Sequence, residues 1–420
     1  MKDYLSALPA EIWDTISWNV DLLDICNLRT LSRSLAASLS QGRFKTFFNQ
    51  KHVQLEPSNL QCLQRFVDVT QPGRLGCLLK DLTISCEIPV LQILEEQNLS
   101  PYHEHINLLS DAFRNLESIS RDGVLRSLIC TVPTSDVRLL NGEILQAARG
   151  SSDWKIILAT AGTLFRVVCQ ALGKSRLVIQ RLNIFGSIAN CGLPCNFITD
   201  ALADVEHSAS LKGARELELG LSPRIGAPSS INGGNQASSI ARFISLLSAL
   251  DSLDLRWYNT RKENLSEPEH EEQSWLNDVA IPVKKDTLTR LILKGIRTCE
   301  STLLLFLQQQ ERLKSVMLVD ITLESGSFGP IFDHLTASGD VLEYLCLDDL
   351  WESGKHVHFK APGRPKFPGK GPPSGPNIIT RTGRSAMKEK IEYGFRQGRA
   401  LGSSNITEWR RRRRLLYGPP

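Results

Sequence analysis

Residues 288–293 read Leu-Thr-Arg-Leu-Ile-Leu, an apolar residue, two positions, an apolar residue, one position, an apolar residue. The spacing decides the fold because it returns at Leu79-Leu82-Ile84, Ile179-Leu182-Ile184, Ala214-Leu217-Leu219, Leu250-Leu253-Leu255, Leu313-Val316-Leu318 and Leu342-Leu345-Leu347. Middle residues recur every 25 to 38 positions, except across the 100 between Leu82 and Leu182. There a weaker copy at Leu116 and Ile119 leaves room for one more near Leu125 to Ile129. An apolar-x-apolar strand turns two side chains to one face and the residue between them to the other. Helical patterns separate the copies, at 156–172, 197–205, 240–250, 301–312 and 328–335. Strand, turn and helix therefore alternate over residues 76–355, which predicts an α/β chain with parallel strands side by side. An ordinary α/β sheet domain is the competing reading of the same pattern.

The unit resembles the leucine-rich repeat over about two thirds of the chain. The resemblance implies a solenoid with parallel strands inside and helices outside. Ser187, Ser222, Tyr258, Ile296, Ile321 and Leu350 stand where that family places Asn or Cys, so an irregular solenoid is expected. The outward strand positions would be Arg181, Asn183, Glu216, Glu218, Ser252, Asp254, Arg256, Arg290, Ile292, Lys294, Ser315, Met317, Tyr344, Cys346 and Asp348. Mixed charge suits a protein surface better than a phosphate backbone, which calls for a basic stripe. Arg256, Trp257, Tyr258, Arg290, Lys294, Tyr344, Asp348 and Trp351 are the candidate substrate contacts, since buried Trp and Tyr often dominate interface energy. Trp257 and Trp351 fit equally well as caps on the core edge.

Residues 5–48 carry a different period. Glu11, Ile12, Ile16 and Val20 recur about every fourth residue after Pro9, and Leu22, Ile25, Leu28, Leu31 and Leu35 follow, which predicts two or three short amphipathic helices. Leu8, Pro9, Glu11, Ile12, Ile16, Val20, Asp21, Leu22, Leu28, Arg29, Ser32, Arg33 and Leu35 match, in order and spacing, the three-helix F-box. Leu31 replaces the family's usual Val, and Phe44, Phe47 and Phe48 stand in place of its closing Trp. The resemblance implies docking on a Skp-type adaptor, and through it a cullin, by an apolar face of Leu8, Pro9, Ile12, Ile16, Val20, Leu22 and Leu28. Residues 51–75 read as a connecting helical segment.

Charge divides the 420 residues. From residue 355 onward there are 16 Lys or Arg and 3 Glu, so the body carries −9 and the tail +13 of the net +4. Residues 360–376, rich in Pro and Gly, and the run Arg410, Arg411, Arg412, Arg413, Arg414 predict a flexible, disordered tail over 356–420. The arginines fit an import signal, a phosphate contact or a solvated end. The segment 259–286, with Glu263, Glu267, Glu269, Glu271, Glu272 and Asp278, reads as an exposed acidic loop.

The remaining signals narrow the function. Ten cysteines without regular pairing read as buried free thiols, and Cys191 with Cys195 lacks a second ligand pair for zinc. His103-Glu104-His105 is expected on a surface loop, and Asn232 to Gln236 in a turn. Thr160, Gly162, Thr163 and Arg166 interrupt the longest apolar stretch, so no membrane span is expected, nor is a secretory leader. No phosphate loop, nucleophile elbow, dinucleotide fingerprint or zinc-protease motif occurs. Together these lead to the expectation of a non-enzymatic F-box substrate receptor of a cullin-RING ubiquitin ligase, without cofactor or metal, cytoplasmic or nuclear. The alternative is a non-ligase repeat scaffold whose basic tail contacts nucleic acid or acidic partners.

Overall fold

Parallel pairing brings the spaced aliphatic residues into two continuous rows. Leu82, Leu128, Leu182, Leu217, Leu253, Leu291, Val316 and Leu345 align across neighbouring strands. Val53, Ile84, Cys130, Ile184, Leu219, Leu255, Leu293, Leu318 and Leu347 form the second row. Every member is at most 2% exposed. At roughly 1.5–3 kcal/mol for each large aliphatic side chain removed from water, the two rows are a main source of stability. A one-residue slip would turn them to the opposite face, which fixes the register.

The computed structural model describes residues 8–40, 43–56, 60–86, 102–119, 123–132, 153–186, 188, 191–223, 236–258, 275–276, 279, 286–366, 375–395 and 413. Four short helices come first: α1 (Ala10–Trp18), α2 (Leu22–Leu31), α3 (Arg33–Leu39) and α4 (Arg43–Thr46). The chain continues β1 (Gln50–Leu55), α5 (Gln61–Thr70), β2 (Asp81–Cys86), α6 (His103–Ile119), β3 (Val124–Thr131), α7 (Asp153–Gly173), β4 (Val178–Ile184), β5 (Leu193–Pro194), α8 (Cys195–Val205), β6 (Glu216–Ser222), α9 (Gln236–Leu246) and β7 (Ser252–Trp257). Next come β8 (Arg290–Lys294), β9 (Arg297–Cys299), a helix at Glu300–Gln308, β10 (Ser315–Val319), β11 (Thr322–Ser325), a helix at Gly329–Ala337, β12 (Tyr344–Asp348) and β13 (Trp351–Glu352). The last elements are β14 (Lys355–Phe359), β15 (Ile378–Thr382), a turn of helix at Arg384–Met387 and β16 (Tyr393–Phe395).

The result is a mixed α/β architecture built on a large, mostly parallel sheet. Its order, β1-β2-β3-β4-β6-β7-β8-β10-β12-β15, follows the sequence, with β5 beside β6 and only β15 antiparallel. A parallel neighbour cannot be reached by a tight turn, so each step needs a crossover, and among the described residues helices supply the crossovers other than that from β7 to β8. α5 contacts α6, α6 contacts α7, α7 contacts α8 and α8 contacts α9. Their apolar faces share one core with the two aliphatic rows. A second sheet, β16-β14-β13-β11-β9, flanks the later repeats. Just before its strands β9, β11 and β13, Ile296, Ile321 and Leu350 are fully buried, and Thr322 N donates to Ile296 O at 2.9 Å and Trp351 N to Ile321 O at 2.8 Å. Main-chain bonding links these positions from one turn to the next.

Several expectations are corrected. The sheet begins at β1, so residues 51–75 are strand and helix of the first unit rather than a helical connector. Among the described residues the gap between Leu82 and Leu182 holds one strand, Val124–Thr131, at the place expected near Leu125 to Ile129, whereas Leu116 and Ile119 lie in α6, where Leu116 packs as a core residue. Residues 355–366 and 375–395 are not a flexible tail: β14, β15 and β16 close the end of both sheets, burying Val357, Phe359, Met387 and Ile391. The helical stretch Ile156–Gly173 is long and apolar enough to cross a membrane, but most of it is buried. Leu158, Ala161, Leu164 and Leu172 lie within the core, which accounts for its composition.

α1–α4 form their own cluster of Trp13, Ile25, Leu35, Leu39 and Phe44. Asp21 Oδ1 accepts from Asp24 N at 2.8 Å, and Ser32 Oγ accepts from Leu35 N at 3.1 Å, so an acceptor starts each of α2 and α3. The Arg29 guanidinium lies over the Phe44 ring at 4.0 Å.

Candidate protein-recognition surfaces

The side of the sheet opposite the helices carries three rows. The first runs Gln50, Asp81, Ser127, Arg181, Glu216, Ser252, Arg290, Ser315, Tyr344, Thr382. The second runs His52, Thr83, Ile129, Asn183, Glu218, Asp254, Ile292, Met317, Cys346, Thr380. A shorter third row is Gly220, Arg256, Lys294, Val319, Asp348. The alternation predicted from sequence therefore holds: all fifteen expected outward positions fall in these rows.

Charges on this face pair along the rows. Arg181 Nε lies 3.5 Å from Glu216 Oε2, Asn183 Nδ2 donates to Glu218 Oε2 at 2.7 Å, and Lys294 Nζ to Asp254 Oδ2 at 2.7 Å. Burial raises the Glu218 carboxyl above its ordinary pKa, and Asp254 adds to the rise. Around the first strands the face holds a hollow of about 700 Å³, lined by His52, Asp81, Arg126, Arg181 and Glu216 among others. Sequence reasoning missed β1 and therefore this hollow.

Of the eight candidate contacts, five fall on β8, β12 and β13. Arg290 and Tyr344 share the first row, separated by Ser315. Lys294 and Asp348 share the third, with Val319 between them, and Trp351 follows β12. Asp348 accepts from Lys366 Nζ at 2.6 Å, and Trp351 stacks on His356 at 4.6 Å between ring centroids. The other three are buried. Arg256, 2% exposed, donates through one Nη to Phe185 O at 2.7 Å and Cys191 O at 2.6 Å. Trp257 stacks on Trp275, centroids 5.0 Å apart, and burial pushes the Tyr258 hydroxyl up to about 12. In this arrangement the three are buried at the carboxyl end of β7, a central strand. Trp275, Leu276 and Val279 are buried, while the acidic residues of 259–286 other than Asp286 lie outside the described residues.

On the N-terminal helices the expected docking face divides. Pro9 and Ile12 are exposed, whereas Leu8, Ile16, Val20, Leu22 and Leu28 pack partly against the helices' own cluster. Trp18, Leu23 and Leu31 are instead two-thirds exposed. Periodicity marked an apolar stripe but could not apportion it between the internal cluster and the surface.

His103, Glu104 and His105 begin α6 rather than a loop, and His105 Nε2 lies 2.8 Å from Glu56 O. Cys191 and Cys195 are buried free thiols, Cys195 Sγ donating to Ser222 O at 3.1 Å. Among the described residues no group of three His, Cys, Asp or Glu side chains could hold a metal. Residues 232–235 and Arg410, Arg411, Arg412 and Arg414 lie outside the described residues; Arg413 pairs with Asp320. No family model matches the chain, and no curated protein matches it in sequence.

Proposed function

We propose that the chain is an F-box-type substrate receptor: its first four helices dock on a Skp-type adaptor, and its repeat body holds a protein substrate for a cullin-RING ubiquitin ligase. One observation carries the reading. Of the eight large apolar side chains exposed among the described residues, four (Ile12, Trp18, Leu23 and Leu31) fall within the first two helices. So dense an apolar surface on a small module with its own core is the mark of an interface. The ordered match of residues 8–35 to the F-box pattern indicates which partner covers it.

The sequential parallel order with neighbouring helices supports a leucine-rich-repeat-like solenoid body. Its open face, with Arg290, Lys294, Tyr344 and Asp348 near one another and ion pairs of both signs, suits a protein ligand. The chain would then act by proximity, raising the local concentration of a substrate lysine at another protein's active centre, with no chemistry of its own. The test is to mix the full chain with a Skp-type adaptor and a cullin and follow the assembly by size-exclusion chromatography. Co-elution supports the reading. Separate elution at micromolar concentrations refutes it and favours the non-ligase scaffold.

A further inference from the structure

The three last parallel strands end in equivalent turns with left-handed backbone: Gly295 at φ 68°, Asp320 at φ 54° and Asp349 at φ 52°. Asp is among the few residues with a side chain that tolerate this region. The turns are stitched by main-chain bonds, Gly295 N to Val319 O and Asp320 N to Asp348 O, both at 2.9 Å. Their side chains differ in what they meet. Gly295 presents none. The Asp349 carboxylate is satisfied by the body itself, accepting at Oδ1 from Asn377 Nδ2 at 2.5 Å, with His356 Nε2 at 3.2 Å.

Asp320 lies between them, 2% exposed, and its cation comes from elsewhere. Arg413, 93 residues on, donates from Nε at 2.8 Å and places Nη2 at 2.7 Å, both on Oδ1. Oδ2 is buried and has no hydrogen-bond partner among the described residues. The fork of a guanidinium can grip both oxygens of a carboxylate, and here it grips one. A buried carboxylate deprived of its cation must take up a proton or pay several kcal/mol, and with Arg297 the other cation acting on it, the pocket favours a guanidinium when Arg413 leaves it. Arg413 stands in a run of five arginines, each with the same fork.

We propose that the Asp320 pocket is a recognition site for an arginine on a basic segment of a partner protein, with Arg413 as its internal competitor. The site lies just past the carboxyl end of β10, beside the row that carries Lys294 and Asp348. A ligand within the same chain competes at an effective concentration on the order of millimolar, so a trans segment enters the native chain only weakly. The inference does not depend on the adaptor, and its test contains none.

The probe is a fluorescent peptide with the sequence of residues 407–417 in which Arg410, Arg411, Arg412 and Arg414 are replaced by Lys, leaving one arginine. Its control carries Lys at that position too. Binding is read by anisotropy at physiological salt with the full chain, native and Arg413→Ala. The Arg413→Ala chain is expected to bind the arginine peptide about tenfold or more tightly than the all-lysine control, because an ammonium cannot reproduce the fork. It is also expected to bind the arginine peptide about tenfold more tightly than the native chain does. Adding Asp320→Asn is expected to remove the preference. Equal affinity of the Arg413→Ala chain for the two peptides overturns the proposal, because it leaves only general charge attraction. Equal affinity of native and Arg413→Ala chains for the arginine peptide overturns it as well. Neither comparison requires the Asp320→Asn chain to fold, and an unchanged urea midpoint of the Arg413→Ala chain is its folding control.

Discussion

Arg256 offers the sharpest stability prediction. Its guanidinium bonds two main-chain carbonyls, Phe185 O and Cys191 O, and so ties the stretch after β4 to β7. Replacement by Met keeps much of the aliphatic volume, removes the donor of Cys191 O and leaves Phe185 O only the long bond from Ile188 N at 3.5 Å. Each buried acceptor left unmet costs about 1–3 kcal/mol, a loss of about 2–6. Against this, the variant no longer holds a desolvated guanidinium, which recovers part of a penalty of several kcal/mol. The acceptors win because a hydrophobic side chain satisfies neither, and a net destabilisation of about 2–4 kcal/mol is expected. Arg256→Lys, with a compact ammonium in place of the fork, should lose about half as much. Urea denaturation followed by tryptophan fluorescence is the assay, since Trp257 and Trp275 stack beside the site. A change below about 0.5 kcal/mol for Arg256→Met, within the range of ordinary surface substitutions, would refute the reasoning.

Three further outcomes follow from particular contacts. Gly220→Ala should destabilise the same region, because a Cβ there would lie 2.5 Å from Phe185 O and 2.9 Å from an Arg256 nitrogen; an unchanged urea midpoint would show that these neighbours yield. Trp13→Ala, at the centre of the N-terminal cluster, should cost about 3–5 kcal/mol and melt α1–α4 while the sheet survives; limited proteolysis that trims only the first 50 residues is the expected pattern, and coupled loss of the sheet the contrary one. Burial raises the Asp320 carboxyl from 3.8 to about 6, with Arg413 and Arg297 opposing and Asp349 assisting, so the folded chain holds that proton more tightly than the unfolded one. The stability it contributes is therefore complete below 3.8 and lost as pH rises through about 6; between pH 4 and 7 the native midpoint should fall relative to Asp320→Asn, and a constant gap contradicts this.

The aliphatic rows were legible in the sequence because a period-two strand within a repeat writes its buried face directly into the spacing, from Leu82 to Leu347. β1 was hidden because Gln50–Leu55 offers only Val53 and Leu55 to the core and starts with polar residues. The 116–119 copy misled because two apolar residues three apart fit a helix as well as a strand, and α6 buries Leu116. The closing strands β14–β16 are short and set among Pro and Gly, whose local preferences were overridden by the sheet edge they cover. Arg256, Arg290, Lys294, Tyr344 and Asp348 fall in the outward rows, whereas Trp257 registers with Leu221 on the other face, and the burial of Arg256, Trp257 and Tyr258 depends on Phe185, Cys191 and Trp275, which sequence spacing does not bring near. Likewise, a charge run shows its sign and not its partner, so the Arg413 pair with Asp320 was invisible.

The central claim is that exposed apolar residues of α1 and α2 dock an adaptor. Its most direct test is the affinity of the full chain for a Skp-type adaptor, native against Ile12→Asp, measured by calorimetry. Ile12 is 45% exposed and lies in the first turn of α1, where an acidic side chain suits the helix dipole, so folding should change by about 1 kcal/mol or less. A charge at the centre of an apolar interface should nonetheless weaken binding about a hundredfold or more. That loss, with the urea midpoint of the sheet unchanged, is the predicted result. Adaptor binding equal in the two chains, or none by the native chain, would contradict it.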